Sequence, residues 1–208
     1  MKFEWRKQEK NLYLPKEKPE LLTVPKQKFI TIQGKGDPNS PQFSELVGVL
    51  YSVAYAIKMI PKHGFTPEGY YDYTVYPLEG LWDLTEEGRL SSELIKEELL
   101  YTLMIRQPDF VTNETFDKAI ERVRKKNNHS RLSDVAFEVI EDGLSVQMLH
   151  IGAYDDEPKT FEQMKKFILE NNLQITSLRH REIYLSDARK TAQEKLKTVL
   201  RYQVSMIE

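Results

Sequence analysis

Two stretches of this chain match each other at a constant offset. Gly34 and Gly152, Phe43 and Phe161, and Leu46 and Met164 are each 118 residues apart. An offset that holds without a gap through a strand, a turn and a helix means that one supersecondary plan is used twice, and it limits the fold more than any local propensity does. In the first copy, Phe29-Ile30-Thr31-Ile32 is aromatic and β-branched and reads as a strand ending at Gly34. Ser40-Pro41 supplies an N-cap with proline in the first helical position. Phe43, Leu46, Val47, Leu50, Ala54 and Ile57 then recur at helical spacing, predicting an amphipathic helix that stops before Pro61. In the second copy, Met148 to Gly152 is the matching strand. Thr160 to Gln163 forms a capping box that opens a helix through Phe167 and Ile168, ending near Asn171-Asn172.

Each helix is followed by two more strand-like runs. They are Tyr70 to Leu84, interrupted near Pro77, and Leu99 to Arg106 in the first copy, and Arg179 to Leu185 and Lys197 to Val204 in the second. Glu98 to Met104 matches Glu194 to Leu200 at an offset of 96, so the first copy carries an insertion before this strand. The expected fold is therefore α+β, a tandem repeat of two β-α-β-β units side by side about a pseudo-twofold axis, with a central ligand cleft between them. The expected division is an N-terminal arm over residues 1–26 and one domain over 27–208. That domain has repeat 1 at about 27–108, connecting helices within 109–143 (Asn113 to Lys126 and Leu132 to Glu141) and repeat 2 at about 144–205. Pro15, Pro19 and Pro25 break up the arm, which is expected to lie extended on the surface and to leave no room for a helix-turn-helix.

Composition removes several function classes. With no cysteine, disulfides, thiolate catalysis and Cys-containing zinc sites are excluded. Thirty basic against thirty-two acidic side chains give a formal charge of −2, so no net field would draw in nucleic acid. The basic run Arg122 to Lys126 continues a helical pattern and reads as a solvated face. The mixed-charge N-terminus does not look like a secretory signal. Leu46 to Ile57, the longest uncharged apolar stretch, is short of the roughly 20 residues of a membrane span. A cytoplasmic monomer without a membrane anchor is expected.

Familiar catalytic signatures are missing. His63, His129, His150 and His180 have no metal-ligand spacing, so neither a metal nor an organic cofactor is expected. His180-Arg181-Glu182 satisfies H-x-E but lacks the cysteines of a zinc deaminase. Gly34-Lys35-Gly36 is only a fragment of a phosphate loop. What stands out is a concentration of aromatic residues. Seven of the eleven tyrosines lie between Tyr51 and Tyr101, Tyr73 among them, and Trp82 sits within the same stretch. Such a cluster fits either a β-rich core or a wet-edged pocket. In Arg181-Glu182-Ile183-Tyr184-Leu185, strand alternation puts Glu182 and Tyr184 on one face and Ile183 and Leu185 on the other. Glu182 then either faces a cleft or sits on an exposed face beside an Arg or Lys. Glu79 holds a comparable second-strand position in the first copy, with its direction unsettled by Gly80.

Five blocks in order resemble the stand-alone GyrI-like proteins: Phe29 to Asn39 (FITIQGKGDPN), Tyr73 to Trp82 (YTVYPLEGLW), Tyr101 to Val111 (YTLMIRQPDFV), His150-Ile151-Gly152, and Glu182 to Arg201 (EIYLSDARKTAQEKLKTVLR). Ala188 and Gln193 stand where the pattern has proline. The resemblance implies a pocket for a hydrophobic, often cationic small molecule, with Glu182 as its carboxylate and Trp82 as its tryptophan. Tyr184, Tyr73, Tyr101 and Glu79 are the accompanying candidate contacts. It also implies one of two activities. The first is cofactor-independent hydrolysis of the cyclopropane in DNA-alkylating natural products of the yatakemycin and duocarmycin type, with Glu182 activating water. The second is drug binding without catalysis, where DNA gyrase is a candidate partner.

Overall fold

The structure, a computed structural model, describes residues 2–127 and 129–207. Along the chain run α1 (Trp5–Gln8), α2 (Lys10–Tyr13), β1 (Glu20–Val24), β2 (Gln27–Lys35), α3 (Pro41–Met59), β3 (Leu78–Leu84), α4 (Glu86–Leu90), β4 (Leu99–Gln107), α5 (Asn113–Lys126), β5 (Ala136–Ile140), β6 (Gly143–Ile151), α6 (Glu157–Glu170), β7 (Leu173–Tyr184) and β8 (Lys197–Met206). The α+β class and the use of one plan twice are as expected. Two compact units divide these elements. The first holds the residues up to Glu4, Gln27–Leu78 and Asp83–Ile140, and the second holds Trp5–Lys26, Glu79–Trp82 and the chain from Glu141 onward.

In the first unit, β2 pairs antiparallel with β4 on one side and β5 on the other. Ser40 caps α3 by accepting from the Phe43 amide at 3.2 Å, with Pro41 next to it. Leu46, Val49, Leu50, Val53 and Ile57 are the buried stripe of α3, which lies against β2 and β4 and is flanked by α5. Pro41–His63 is long and apolar enough to cross a membrane by length and hydropathy, yet its stripe is spent on these strands as in a core helix. The inward residues of α5 are Thr115, Ala119 and Val123, which leaves Arg122, Arg124, Lys125 and Lys126 on its exposed side.

In the second unit, the antiparallel order is β1, β6, β8, β7 and then residues Glu79–Trp82 of β3. Helix α6 covers β6 and β7 with Met164 and Ile168, which meet Val146, Met148, Leu200 and Val204 in an apolar core. Between Ile175 and His180, β7 advances five residues while β8 advances two, from Val204 to Tyr202. That irregularity re-aims the last turn of strand just before His180.

The structure corrects four expectations. The arm is not an extended surface segment but is built into the second unit: Trp5, Leu12 and Tyr13 are buried, and β1 forms the edge strand next to β6. Its prolines flank the short elements and do not interrupt them, which is where proline costs no hydrogen bond. Leu132 to Glu141 is a single turn followed by β5, because Phe137-Glu138-Val139-Ile140 completes the edge of β2, where Thr31 Oγ1 donates to Glu138 Oε2 at 2.6 Å. Helix α6 begins at Glu157 with Pro158 beside it, three residues before the expected box, and Thr160 Oγ1 bonds His150 Nδ1 at 2.8 Å instead. The run from Tyr70 is irregular until Leu78, apart from one bridge between Phe3 and Tyr73.

The offset of 118 reaches further than the sequence reading took it. Leu22 pairs with Ser145 and Ile140 pairs with Gln27, and 22 + 118 = 140 while 27 + 118 = 145. The same holds for Leu21 with Val146 and Val139 with Lys28. Each unit's edge strand is therefore supplied by the segment that precedes the other unit's first strand, in identical register. The later strands map at 95, one less than the sequence match: Ile32 pairs with Leu103, and His150 (32 + 118) pairs with Thr198 (103 + 95).

Candidate functional site

The face of β7 that carries alternate residues His180, Glu182 and Tyr184 forms one connected polar system in the second unit. His180 Nε2 shares a hydrogen bond with Glu182 Oε1 at 2.9 Å, and the Tyr184 hydroxyl donates to Glu182 Oε2 at 2.7 Å. The Trp82 indole N–H donates to the Tyr184 oxygen at 2.7 Å. Trp82 and Gly80 lie across the sheet from His180 and Glu182. The indole folds back over Gly80, where a Cβ would come within 2.6 Å of Trp82 Nε1. Only glycine leaves room for that close approach. Aromatic edges complete the surround: Phe161 stands edge-on to His180 at 4.8 Å, and Tyr154 to Tyr184 at 6.0 Å.

A second carboxyl enters from α6. Glu157, the first residue of that helix, is buried, and its carboxyl comes within hydrogen-bonding reach of Glu182. Burial, then the Glu182 charge, raise its pKa well above the usual carboxylate range. The helix N-terminus pulls the other way by about 0.3–1 kcal/mol. That is less than one pKa unit and too little to reverse the two causes. Burial and the neighbouring carboxyl thus favour the neutral acid form of Glu157. The phenols respond to the same surroundings. Burial, then Glu182, push Tyr184 well above its ordinary value, and burial, then Glu157 and Glu182, push Tyr154 up to about 12. Both stay protonated donors across the neutral range.

Of the residues singled out from sequence, Glu182, Tyr184 and Trp82 come together here. Glu79 does not. Its strand register places it with Ile183 on the opposite face, where its Oε2 accepts from Arg181 at 2.8 Å. Tyr73 and Tyr101 are buried in the first unit. Tyr73 lies against Phe110, with Lys58 Nζ 5.0 Å above its ring, and Tyr101 covers Gly34 and meets Phe43 edge-on. Among the described residues, no three His, Asp or Glu side chains gather in a metal-binding arrangement.

Residues 17–204 match the GyrI-like small molecule binding domain. The chain belongs to the GyrI-like family. This GyrI-like chain is similar to three solved proteins of Listeria innocua. One is described as a hydrolase, with 38% identity and a TM-score of 0.88 over 98% of this chain and all of the other. A second hydrolase has 39% identity and a TM-score of 0.90 over 99% of this chain and all of the other. The third, described as an uncharacterized conserved protein, has 41% identity and a TM-score of 0.89 over 98% of this chain and all of the other. Among curated proteins, none matches.

Three members of the constellation were missed in the sequence. His180 was visible, since the H-x-E spacing set aside as half of a zinc motif is also the spacing that puts two side chains on one strand face. Glu157 and Tyr154 left only a weak trace, an acidic run ahead of Pro158. Nothing in their spacing from Glu182 announces that α6 begins at that strand.

Proposed function

We propose that this GyrI-like chain is a cofactor-independent hydrolase that opens the strained cyclopropane of planar, aromatic alkylating agents of the duocarmycin and yatakemycin type. The observation that carries the reading is the Glu182 carboxyl held among Trp82, Tyr184, Phe161 and Tyr154 without an arginine or lysine ion pair among the described residues. A carboxylate walled by aromatic rings attracts a flat, electron-poor ligand and is the base that finally takes up the proton of the attacking water. The similarity to proteins described as hydrolases supports catalysis over binding alone. Water attacks the ring carbon, and the dienone oxygen of the ligand takes up the electron pair and needs a donor. The Tyr184 proton is committed to Glu182, so Tyr154, a half-exposed residue edge-on to Tyr184, takes that role. Trp82, with its N–H committed to Tyr184, offers its ring face for stacking. A cytoplasmic setting and a small-molecule ligand go with this reading.

The test is incubation of purified protein with a spirocyclopropyl dienone and mass analysis of the product, where a gain of one water is expected. Binding is read separately by Trp82 emission in a Trp5→Phe background. If ligand saturates and quenches the emission but no water is added, the protein is a drug-binding member of the family. Unchanged emission would show that Trp82 is not a ligand contact.

A further inference from the structure

Glu182 has little left to offer a water molecule. His180 holds Oε1, Tyr184 donates to Oε2, and the Glu157 carboxyl faces it as well, while a carboxylate has about four lone-pair sites in all. Glu157 is placed differently. It is 6% exposed, and its Oε1 is buried without a hydrogen-bond partner. Buried polar oxygens ordinarily have one, so an orphan at a site of this kind points to something that arrives with the ligand.

We infer that Glu157 is the carboxyl that touches the reacting water: Oε1 accepts the proton of the water while the acid proton on the other oxygen passes to Glu182, so that the two side chains act as one relay. The inference rests on the hydrolase reading above. The water oxygen bonds to the ring carbon, the carbon–carbon bond of the three-membered ring breaks, and its electron pair moves through the dienone to oxygen. The proton released from water enters the pair and leaves both carboxyls neutral. The phenolate then takes one proton back, restoring the single charge. Glu182 and Tyr184 from β7, and Tyr154 and Asp155 from the turn ahead of α6, are the ionisable groups that bear on Glu157, and His180 reaches it through Glu182. Burial and the Glu182 charge keep the acid proton in place at neutral pH.

Glu157→Gln keeps the shape and leaves the charge on Glu182, so affinity for the planar monocation ethidium should hold. Turnover of the dienone should fall by about 100-fold or more, in kcat with KM little changed. Infrared spectra at neutral pH should contain the carbonyl stretch of one protonated carboxylic acid in the wild type and lose it in Glu157→Gln. Turnover within a few-fold of wild type, or a wild-type spectrum without that band, overturns the inference, and the spectrum decides even if the variant does not fold. A wild type that adds water to no dienone defeats the hydrolase reading instead. The inference falls with it, whereas an active Glu157→Gln beside an active wild type overturns the inference alone.

Discussion

The two faces of β7 handle buried charge in opposite ways. On one, Arg181 pairs with Glu79 at 2.8 Å and with Asp142 at 2.7 Å, while Arg201 reaches Asp142 at 3.3 Å. Arg201 also donates to the Leu12 carbonyl and to Gln147, and the Tyr13 hydroxyl lies 3.5 Å from Glu79, so the arm is fastened into the same network. Two acids meet two guanidinium groups, and the charges close within the protein. On the other face, one residue along, Glu182 and Glu157 meet each other with a histidine and two phenols, and a proton stands in for the missing cation. The two faces belong to one strand and are separated by a single step of sequence, Arg181-Glu182. A closed charge set serves stability, and an open one is what a ligand can complete.

Removing an arginine should break this contrast most strongly. Arg181→Met leaves Glu79 and Asp142 buried and short of a partner, and denaturant unfolding should register a loss of about 3–5 kcal/mol. Glu182→Gln should do the reverse, changing stability by no more than about 1.5 kcal/mol while turnover of a dienone drops by about 100-fold or more. Equal turnover in the variant would move the base elsewhere. The shared proton predicts a slope with pH. Glu157 has a native pKa above its ordinary value of 4.5, so the native state holds a proton that the unfolded chain gives up. Its contribution is therefore full below about 4.5 and is lost as pH rises towards the native value, by up to about 1.4 kcal/mol per pH unit. Glu157→Gln should flatten that fall, and parallel curves for the two proteins would contradict it. Gly80→Ala should disturb the site without removing a charged or proton-carrying group. Its methyl pushes the indole off Tyr184, costing about 1–3 kcal/mol and changing Trp82 emission in the Trp5→Phe background.

Most of the frame could be read from the sequence because it depends on local chemistry and on the repeat. Ser40-Pro41 fixes the start of α3, and the bounds of α5 follow from its apolar spacing. The failures share a cause, since β1, β5 and the start of α6 are set by partners far away in the chain. Ile140 is a strand residue because Gln27 is beside it, and Thr160 does not cap because His150 takes its hydroxyl. The same split runs through the site. Glu182, Tyr184 and His180 lie on one strand, and its period places them together. Trp82 was found by resemblance, and Glu157 is brought in by tertiary packing that no spacing encodes. Glu79 went astray because equivalent positions in two repeats need not point at the same chemistry once the sheet register is set.

The reciprocal edge strands also govern how the protein can be made. β1 leaves the ribosome just ahead of β2 but waits for β6, while β2 has no second neighbour until β5 emerges more than a hundred residues later. The second unit cannot be finished from a continuous stretch of nascent chain, and a gene cut just ahead of β5 would give each product the edge strand that belongs to the other. Most of these pairings span long stretches of sequence, so folding should be slow for the size of the chain. It should also be completed only after synthesis, with β2 the edge that most needs shielding in the meantime.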